Sequence, residues 1–174
     1  MNEYSIHTAD GKTLGSSVFF LIAHDSLGKE CRRLEDFTAT LDREPAKKRK
    51  CIAEYKCAKY RYASVSHAHN LLYHGYRVYR MSEAHKHVDI ENVIQNNHEL
   101  LQICNSAVHH EEKIECKLYY GISIIVQEQM KMYTKKMETA SDWEKIELEE
   151  RLGGLEFAKF CLDEAWQKRK DVIE

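Results

Sequence analysis

The chain has 174 residues, of which 43% are hydrophobic and 31% are charged, and its formal net charge is −2 at pH 7; this is ordinary for one globular domain. The longest strongly apolar run covers residues 18–23, far short of the ~20 residues of a membrane-spanning helix, which argues against a membrane protein. The six cysteines form no C-x-x-C pair, which argues against a zinc ribbon and a dense disulfide framework and predicts reduced thiols in a cytoplasmic protein.

The small number of turn residues predicts helices. One proline and seven glycines are few for a chain of this length, and sheets need turn residues whereas helices do not. Residues 1–15 are the exception, because Asp10-Gly11 suits the turn of a short β-hairpin; the alternative is an extended arm. The same residues lack the basic region and apolar core of a signal peptide, so none is expected.

A first long helix is predicted over residues 17–45. Apolar side chains recur there at helical spacing; they are Phe20, Ala23, Leu27, Cys31, Leu34, Phe37 and Leu41. Ser16 or Ser17 suits the N-cap position. Pro45 either ends this helix or starts the next one.

The next helix is predicted to run over residues 45–81, with Gly75 as a local weak point. Two stripes at seven-residue spacing form a seam that faces the core. The stripes are Tyr55, Tyr62, His69 and Tyr76, and Ala58, Val65, Leu72 and Tyr79.

Two further helices are predicted in the C-terminal half. One begins near Asp89 and continues to about Met132 unless Gly121 or the polar residues 109–113 interrupt it; residues 118–126 also suit a buried strand, but the low turn content favours helix. The other opens with the capping-box sequence 141–144 and is expected to kink or split at Gly153-Gly154. Four or five long helices with short connections predict an all-α, antiparallel helical bundle forming a single domain over residues 1–174.

Residues 46–80 form a strongly basic segment in an otherwise acidic chain, with nine Lys or Arg and one acidic residue, Glu54. At about 100° per residue, the face opposite the seam carries four of these cations, one tyrosine and two histidines; they are Arg49, Lys56, Lys59, Tyr60, His67, His74 and Arg77. Cations at positions 47–50 also oppose the helix dipole, where acidic residues would stabilise the helix. We therefore predict a surface that binds an anionic partner, either RNA or DNA or an acidic protein. Its predicted residues are Lys47, Lys48, Arg49, Lys50, Lys56, Lys59, Tyr60, His67, His74, Arg77 and Arg80.

Several features bear on the kind of partner. The two histidines would add positive charge at lower pH. Most tyrosines of the segment lie on the seam, and no helix-turn-helix, RNA-recognition or zinc-finger pattern is present, which weakens the case for nucleic acid. The cations could instead pair with the acidic residues of 81–174 inside the molecule. Alternatively, the chain is a protein–protein interaction module, such as an adaptor, an inhibitor or a self-associating protein.

A metal site is the remaining alternative. His109, Glu112 and Cys116 share one helical face, and all three residue types can bind metals. No H-x-x-x-H or E-x-x-H pattern supports this site. No nucleophile elbow or cysteine-protease motif occurs either, so catalysis is not expected and no cofactor is predicted.

Overall fold

The computed structural model describes residues 6–7, 13–14, 17–83, 98, 101–104 and 114–173. Its helices are α1 (Val18–Arg43), α2 (Pro45–Lys50), α3 (Ile52–Glu83), α4 (Ile114–Met137) and α5 (Asp142–Ile173). Residues 101–104 are also helical. The helices pack against one another as an all-α helical bundle, which confirms the predicted fold class. None of the described helices combines the length and the apolar content that crossing a bilayer requires.

At the N-terminus, two short strands form the hairpin that the sequence offered as one possibility. Strand β1 (Ile6–His7) pairs antiparallel with β2 (Thr13–Leu14). Ile6 lies opposite Leu14 in this pairing, and His7 lies opposite Thr13.

The chain divides into two compact units. Unit 1 comprises Met1–Asp25, Asn70–Ile125 and Leu162–Glu174, and unit 2 comprises Ser26–His69 and Val126–Cys161. Each of the four long helices therefore contributes one segment to each unit. The expectation of a single domain stays a prediction.

Aromatic side chains dominate the core of unit 1. The Tyr119 ring stacks on Trp166 with centroids 4.5 Å apart and an interplanar angle of 6°, and Phe19 meets both rings edge-on. Burial and the bond that the Tyr119 hydroxyl donates to Asp163, at 2.8 Å, raise the pKa of this tyrosine to about 12. The predicted weak point, Gly75, lies in unbroken helix in this unit, where an added Cβ would be 2.9 Å from the Ile122 Cδ1 atom. Gly75 is therefore a packing position.

Unit 2 contains segments of α1, α3, α4 and α5. Leu27 and Leu34 of α1 and Val65 of α3 are buried, as the apolar stripes of these two helices predict, and so is Leu155 of α5. Phe37 is the exception: it belongs to the predicted stripe of α1 but is 40% exposed, so its placement in the core was wrong.

The last helix is not split at Gly153-Gly154, because α5 runs through both glycines; the alternative of a kink there stays a prediction. An added Cβ at Gly154 would lie 2.8 Å from the Arg61 carbonyl oxygen and 2.9 Å from the Ser64 Cβ atom. The glycine therefore lets α5 approach the backbone of α3, a role that a sequence alone does not distinguish from helix breaking.

The apolar run 118–126 is helical, as favoured, because it lies inside α4. Gly121 does not interrupt that helix; an added Cβ there would collide with the Ile103 side chain, so Gly121 too is needed for close packing. The predicted helix start at Asp89 and the polar residues 109–113 lie outside the described residues.

Candidate anion-binding surface

The basic run at residues 47–50 lies on α2, a six-residue helix with no buried residue. The prediction of one continuous helix over residues 45–81 is wrong, because Cys51 leaves helical angles (φ −112°, ψ 32°) before α3 begins. The four cations therefore fall in the last turn of α2, where positive charge favours the dipole of that short helix, whereas in one continuous helix over 45–81 they would have opposed it. Two backbone hydrogen bonds of 3.0 Å, from the Cys51 amide to the Lys47 carbonyl and from the Tyr55 amide to the Cys51 carbonyl, still connect α2 with α3.

Two of the four cations on α2 have acidic neighbours. The Lys48 ammonium lies 2.5 Å from Asp42 Oδ1 and 3.9 Å from the centroid of the Tyr55 ring, whose hydroxyl donates to the same Asp42 oxygen at 3.0 Å. The hydrogen bond to Lys48 lowers the pKa of Asp42, and the same bond raises the pKa of Lys48. Lys47 is 3.5 Å from Glu44, and since both side chains are largely exposed, this pair contributes little to stability.

The other cations form no ion pair within the part of the chain that the structure describes, although Lys59 is close enough to Asp42 to contribute to the lowered pKa of that carboxyl. Arg49 and Lys50 are exposed and form no ion pair. Lys56 and Lys59 are also exposed and contact aromatic rings: the Lys56 ammonium is 5.1 Å from the centroid of Trp143, and that of Lys59 is 5.6 Å from the centroid of Tyr55. We call Lys47, Lys48, Arg49, Lys50, Lys56 and Lys59 the basic surface; all six belong to unit 2.

The middle of the predicted stripe is partly covered. Tyr60 is half-buried, with the Arg151 guanidinium 5.6 Å from its ring centroid. His67 is half-buried as well, and its Nε2 atom lies 2.7 Å from the side-chain nitrogen of Gln129 on α4. Burial lowers the pKa of His67, which favours the neutral ring. This histidine therefore adds little charge to the surface near neutral pH.

The remaining predicted residues belong to unit 1. His74 is half-buried. Arg77 and Arg80 are exposed, with guanidinium carbons 6.0 Å from the Tyr73 ring and 5.9 Å from the Tyr76 ring, respectively. The structure thus divides the predicted stripe between the two units, with the densest cluster of cations in unit 2.

Sequence reasoning missed Trp143, which borders the basic surface. Its side chain is 70% exposed, although tryptophan is usually well buried. It occupies the first turn of α5, where one half of the predicted capping box is present: the Glu144 carboxylate accepts hydrogen bonds from the Ser141 amide at 2.9 Å and hydroxyl at 2.6 Å. The capping signal predicted this helix start, but nothing in the sequence indicated that the turn lies beside Lys56.

An apolar residue also lies among the cations. Ile52, at the start of α3, is 44% exposed. Together with Pro45, Lys48 and Arg49 it lines an open depression of about 540 Å³. The surface therefore combines positive charge with apolar and aromatic contact area.

The metal alternative gains no support from the described residues. His109 and Glu112 lie outside them, and Cys116 is half-buried near the start of α4. No group of three His, Cys, Asp or Glu side chains in the described part of the chain is arranged to hold a metal ion. Burial raises the pKa of Cys31 to about 11 and that of Cys104 to about 12, which disfavours the reactive thiolate at both.

Comparison of the chain with family models, curated proteins and solved structures finds no match. The basic surface and Trp143 beside it are therefore the features of the described residues that indicate a function.

Proposed function

We propose that this protein is a non-catalytic binding protein that engages an anionic macromolecule through the basic surface. The observation that carries the proposal is that four of its six cations, Arg49, Lys50, Lys56 and Lys59, are exposed without an ion pair in the described part of the chain. Like charges in such proximity repel one another, and an anionic partner would relieve this repulsion.

Internal neutralisation is the main competing explanation, and the observed ion pairs argue against it. Two acidic residues of α5 pair along their own helix: Glu147 bonds Arg151 at 2.8 Å, and Glu164 bonds Lys168 at 3.2 Å. Within the described residues, no carboxylate of α5 forms an ion pair with the basic surface. Asp42 and Glu44 therefore supply its only carboxylate partners in this part of the chain.

The test is binding to polyanions at two salt concentrations. Labelled RNA, labelled single-stranded and double-stranded DNA, and polyglutamate are titrated with the protein at 50 and 200 mM salt. For a partner that engages about four phosphates, we expect affinity to fall about 100-fold over this range, because binding releases condensed counterions.

A charge-reversal variant locates the site. Lys56→Glu/Lys59→Glu should abolish or strongly weaken binding. The control variant Lys131→Glu/Lys135→Glu makes the same change in net charge on α4 and should retain most of the binding affinity. Equal losses in both variants would show attraction to overall charge without a defined site. Failure of the folded parent protein to bind any polyanion at low salt would refute the proposal.

A second candidate function, a protein–protein interaction module, is favoured by exposed apolar side chains on α5. Trp143 is 70%, Ile146 42% and Phe160 61% exposed. Large aromatic residues are enriched where proteins bind one another. Sedimentation velocity over a range of protein concentrations tests the self-associating form, which predicts a mass that rises with concentration and falls for Trp143→Ala.

A further inference from the structure

Trp143 and Lys56 bring an aromatic ring and a cation together from distant parts of the sequence. The Lys56 ammonium lies 5.1 Å from the ring centroid, and the tryptophan side chain remains 70% exposed. A flat ring with a free surface beside an exposed cation can stack on a planar group while the cation binds an adjacent negative charge.

The ring is held by a well-defined helix start. The capping box between Ser141 and Glu144 fixes the first turn of α5, and the Lys145 amide donates to the Ser141 carbonyl at 2.9 Å. The backbone that carries Trp143 is therefore ordered before any partner arrives, which lowers the entropic cost of using the ring in binding.

A second ring lies between cations on the same surface. The centroid of Tyr55 is 3.9 Å from the Lys48 ammonium and 5.6 Å from that of Lys59. Lys56 and Lys59 are three residues apart on α3 and so are neighbours on its surface. Two cations, Lys56 and Lys59, thus lie between the rings of Trp143 and Tyr55, and a third, Lys48, also lies against Tyr55.

We propose that the anionic partner is single-stranded nucleic acid, with an unpaired base stacked on Trp143 and the flanking phosphates bound by Lys56 and Lys59. This inference rests on the proposed function and adds the class of partner. In a duplex the base faces are occupied by their neighbours, so an exposed ring is useful only where bases are unpaired. A run of carboxylates such as polyglutamate would engage the cations but has no aromatic face to stack on the ring.

The acidic residues beside Trp143 limit the side of the ring on which phosphates can lie. Asp142 and Glu144 flank the tryptophan in sequence and are exposed, so they repel phosphates that approach over the first turn of α5. The phosphates are therefore expected on the α3 side of the ring, over Lys56 and Lys59, with the base directed toward Trp143.

The test compares oligonucleotides that differ only in their bases. Twelve-residue oligo(dT), oligo(rU) and an abasic DNA of the same length are titrated against the protein while tryptophan fluorescence is recorded. Because Trp166 is only 8% exposed and is stacked on Tyr119, quenching should report on Trp143. We expect both base-containing strands to quench and the abasic strand to bind about 5- to 150-fold more weakly, since stacking of one base contributes that much.

Substitutions separate this inference from the proposed function. Trp143→Ala should weaken the binding of oligo(dT) by about 5- to 150-fold and leave the binding of abasic DNA and polyglutamate unchanged. Trp143→Phe should retain most of the affinity for oligo(dT), because phenylalanine keeps an aromatic face. Phe160→Ala is the matched control, since Phe160 is 61% exposed on the same helix and in the same unit.

Each other outcome has a definite meaning. If oligonucleotide binding is lost in Lys56→Glu/Lys59→Glu but unchanged in Trp143→Ala, the stacking role is refuted and the proposed function stands. If polyglutamate binds while oligonucleotides do not, the partner is an acidic protein and the nucleic-acid inference is refuted. If double-stranded DNA binds as tightly as oligo(dT), the preference for single strands is refuted. A stronger response to oligo(rU) than to oligo(dT) would identify RNA as the source of the strand.

Discussion

The position of His67 in the helix predicts an exposed side chain, but its environment in the structure is half-buried. His67 lies on the face of α3 opposite the seam, yet its Nε2 atom is 2.7 Å from the amide nitrogen of Gln129. An amide nitrogen can only donate, so the ring nitrogen must be unprotonated to accept this bond. Protonation of His67 would replace a hydrogen bond with two donors facing each other.

This geometry predicts a loss of stability on mild acidification. Burial lowers the pKa of His67 in the folded state, whereas in the unfolded chain it should be close to the ordinary value of about 6.5. Below that value the unfolded state binds more protons, so the free energy of unfolding falls as the pH decreases toward the folded pKa. Urea unfolding at pH 7.5 and 5.5 measures the effect.

The variant for this measurement follows from the surroundings of the histidines. His67→Gln should reduce the pH dependence, and the part that remains belongs to groups such as His69, whose pKa is also lowered by burial and by the nearby Arg32 guanidinium. An identical pH dependence in the parent and in His67→Gln would contradict the assignment.

At the scale of helices, the contact between α3 and α5 in unit 2 depends on a single missing methyl group. Gly154→Ala should destabilise the protein by about 1–3 kcal/mol, because the new Cβ would press on the Arg61 carbonyl and the Ser64 Cβ atom. Gly153→Ala is the matched control: its nearest neighbour would be the end of the flexible Arg61 side chain at 3.5 Å, and alanine favours helix by up to about 1 kcal/mol. Chemical unfolding measures both, and equal effects would refute the packing argument.

The same pair of glycines shows what could be predicted from the sequence and what could not. Apolar spacing identified the core faces of α1 and α3, since burial must follow helical periodicity; Leu27, Leu34, Val65 and Leu72 are all buried. A glycine gives two opposite signals, because it weakens an isolated helix but permits a close approach in a packed one. Only the neighbouring helix decides between them.

The candidate site was predictable only where it is local in sequence. The basic run at 47–50 was evident, and so was the capping box that begins α5. The interruption at Cys51 was not, because neither proline nor glycine marks it. The proximity of Lys56 and Trp143 depends on which helices become neighbours, and these residues are 87 positions apart.

At the scale of the whole molecule, the long helices link the two compact units through the chain itself. Segments of α1, α3, α4 and α5 belong to each unit, so melting one unit exposes the ends of helices that continue into the other. We expect one cooperative unfolding transition for this reason.

The two tryptophans allow this to be measured, because Trp143 lies in unit 2 and Trp166 in unit 1. Trp143→Phe and Trp166→Phe each leave one tryptophan. In each variant, the urea transition followed by tryptophan fluorescence should coincide with the loss of helix followed by circular dichroism. A fluorescence transition that is displaced from the loss of helix in the same sample would show that the units unfold separately.

The short helix α2 also makes the molecule a target for proteases. It offers four consecutive basic residues, Lys47 to Lys50, which are sites for trypsin, and none of its residues is buried to hold the backbone in place. Within the described part of the chain, limited trypsin digestion should therefore cut here first and separate α1 from α3. A ligand on the basic surface would shield these peptide bonds from trypsin. The rate of cleavage within α2 therefore reports whether a ligand is bound, even before that ligand has been identified.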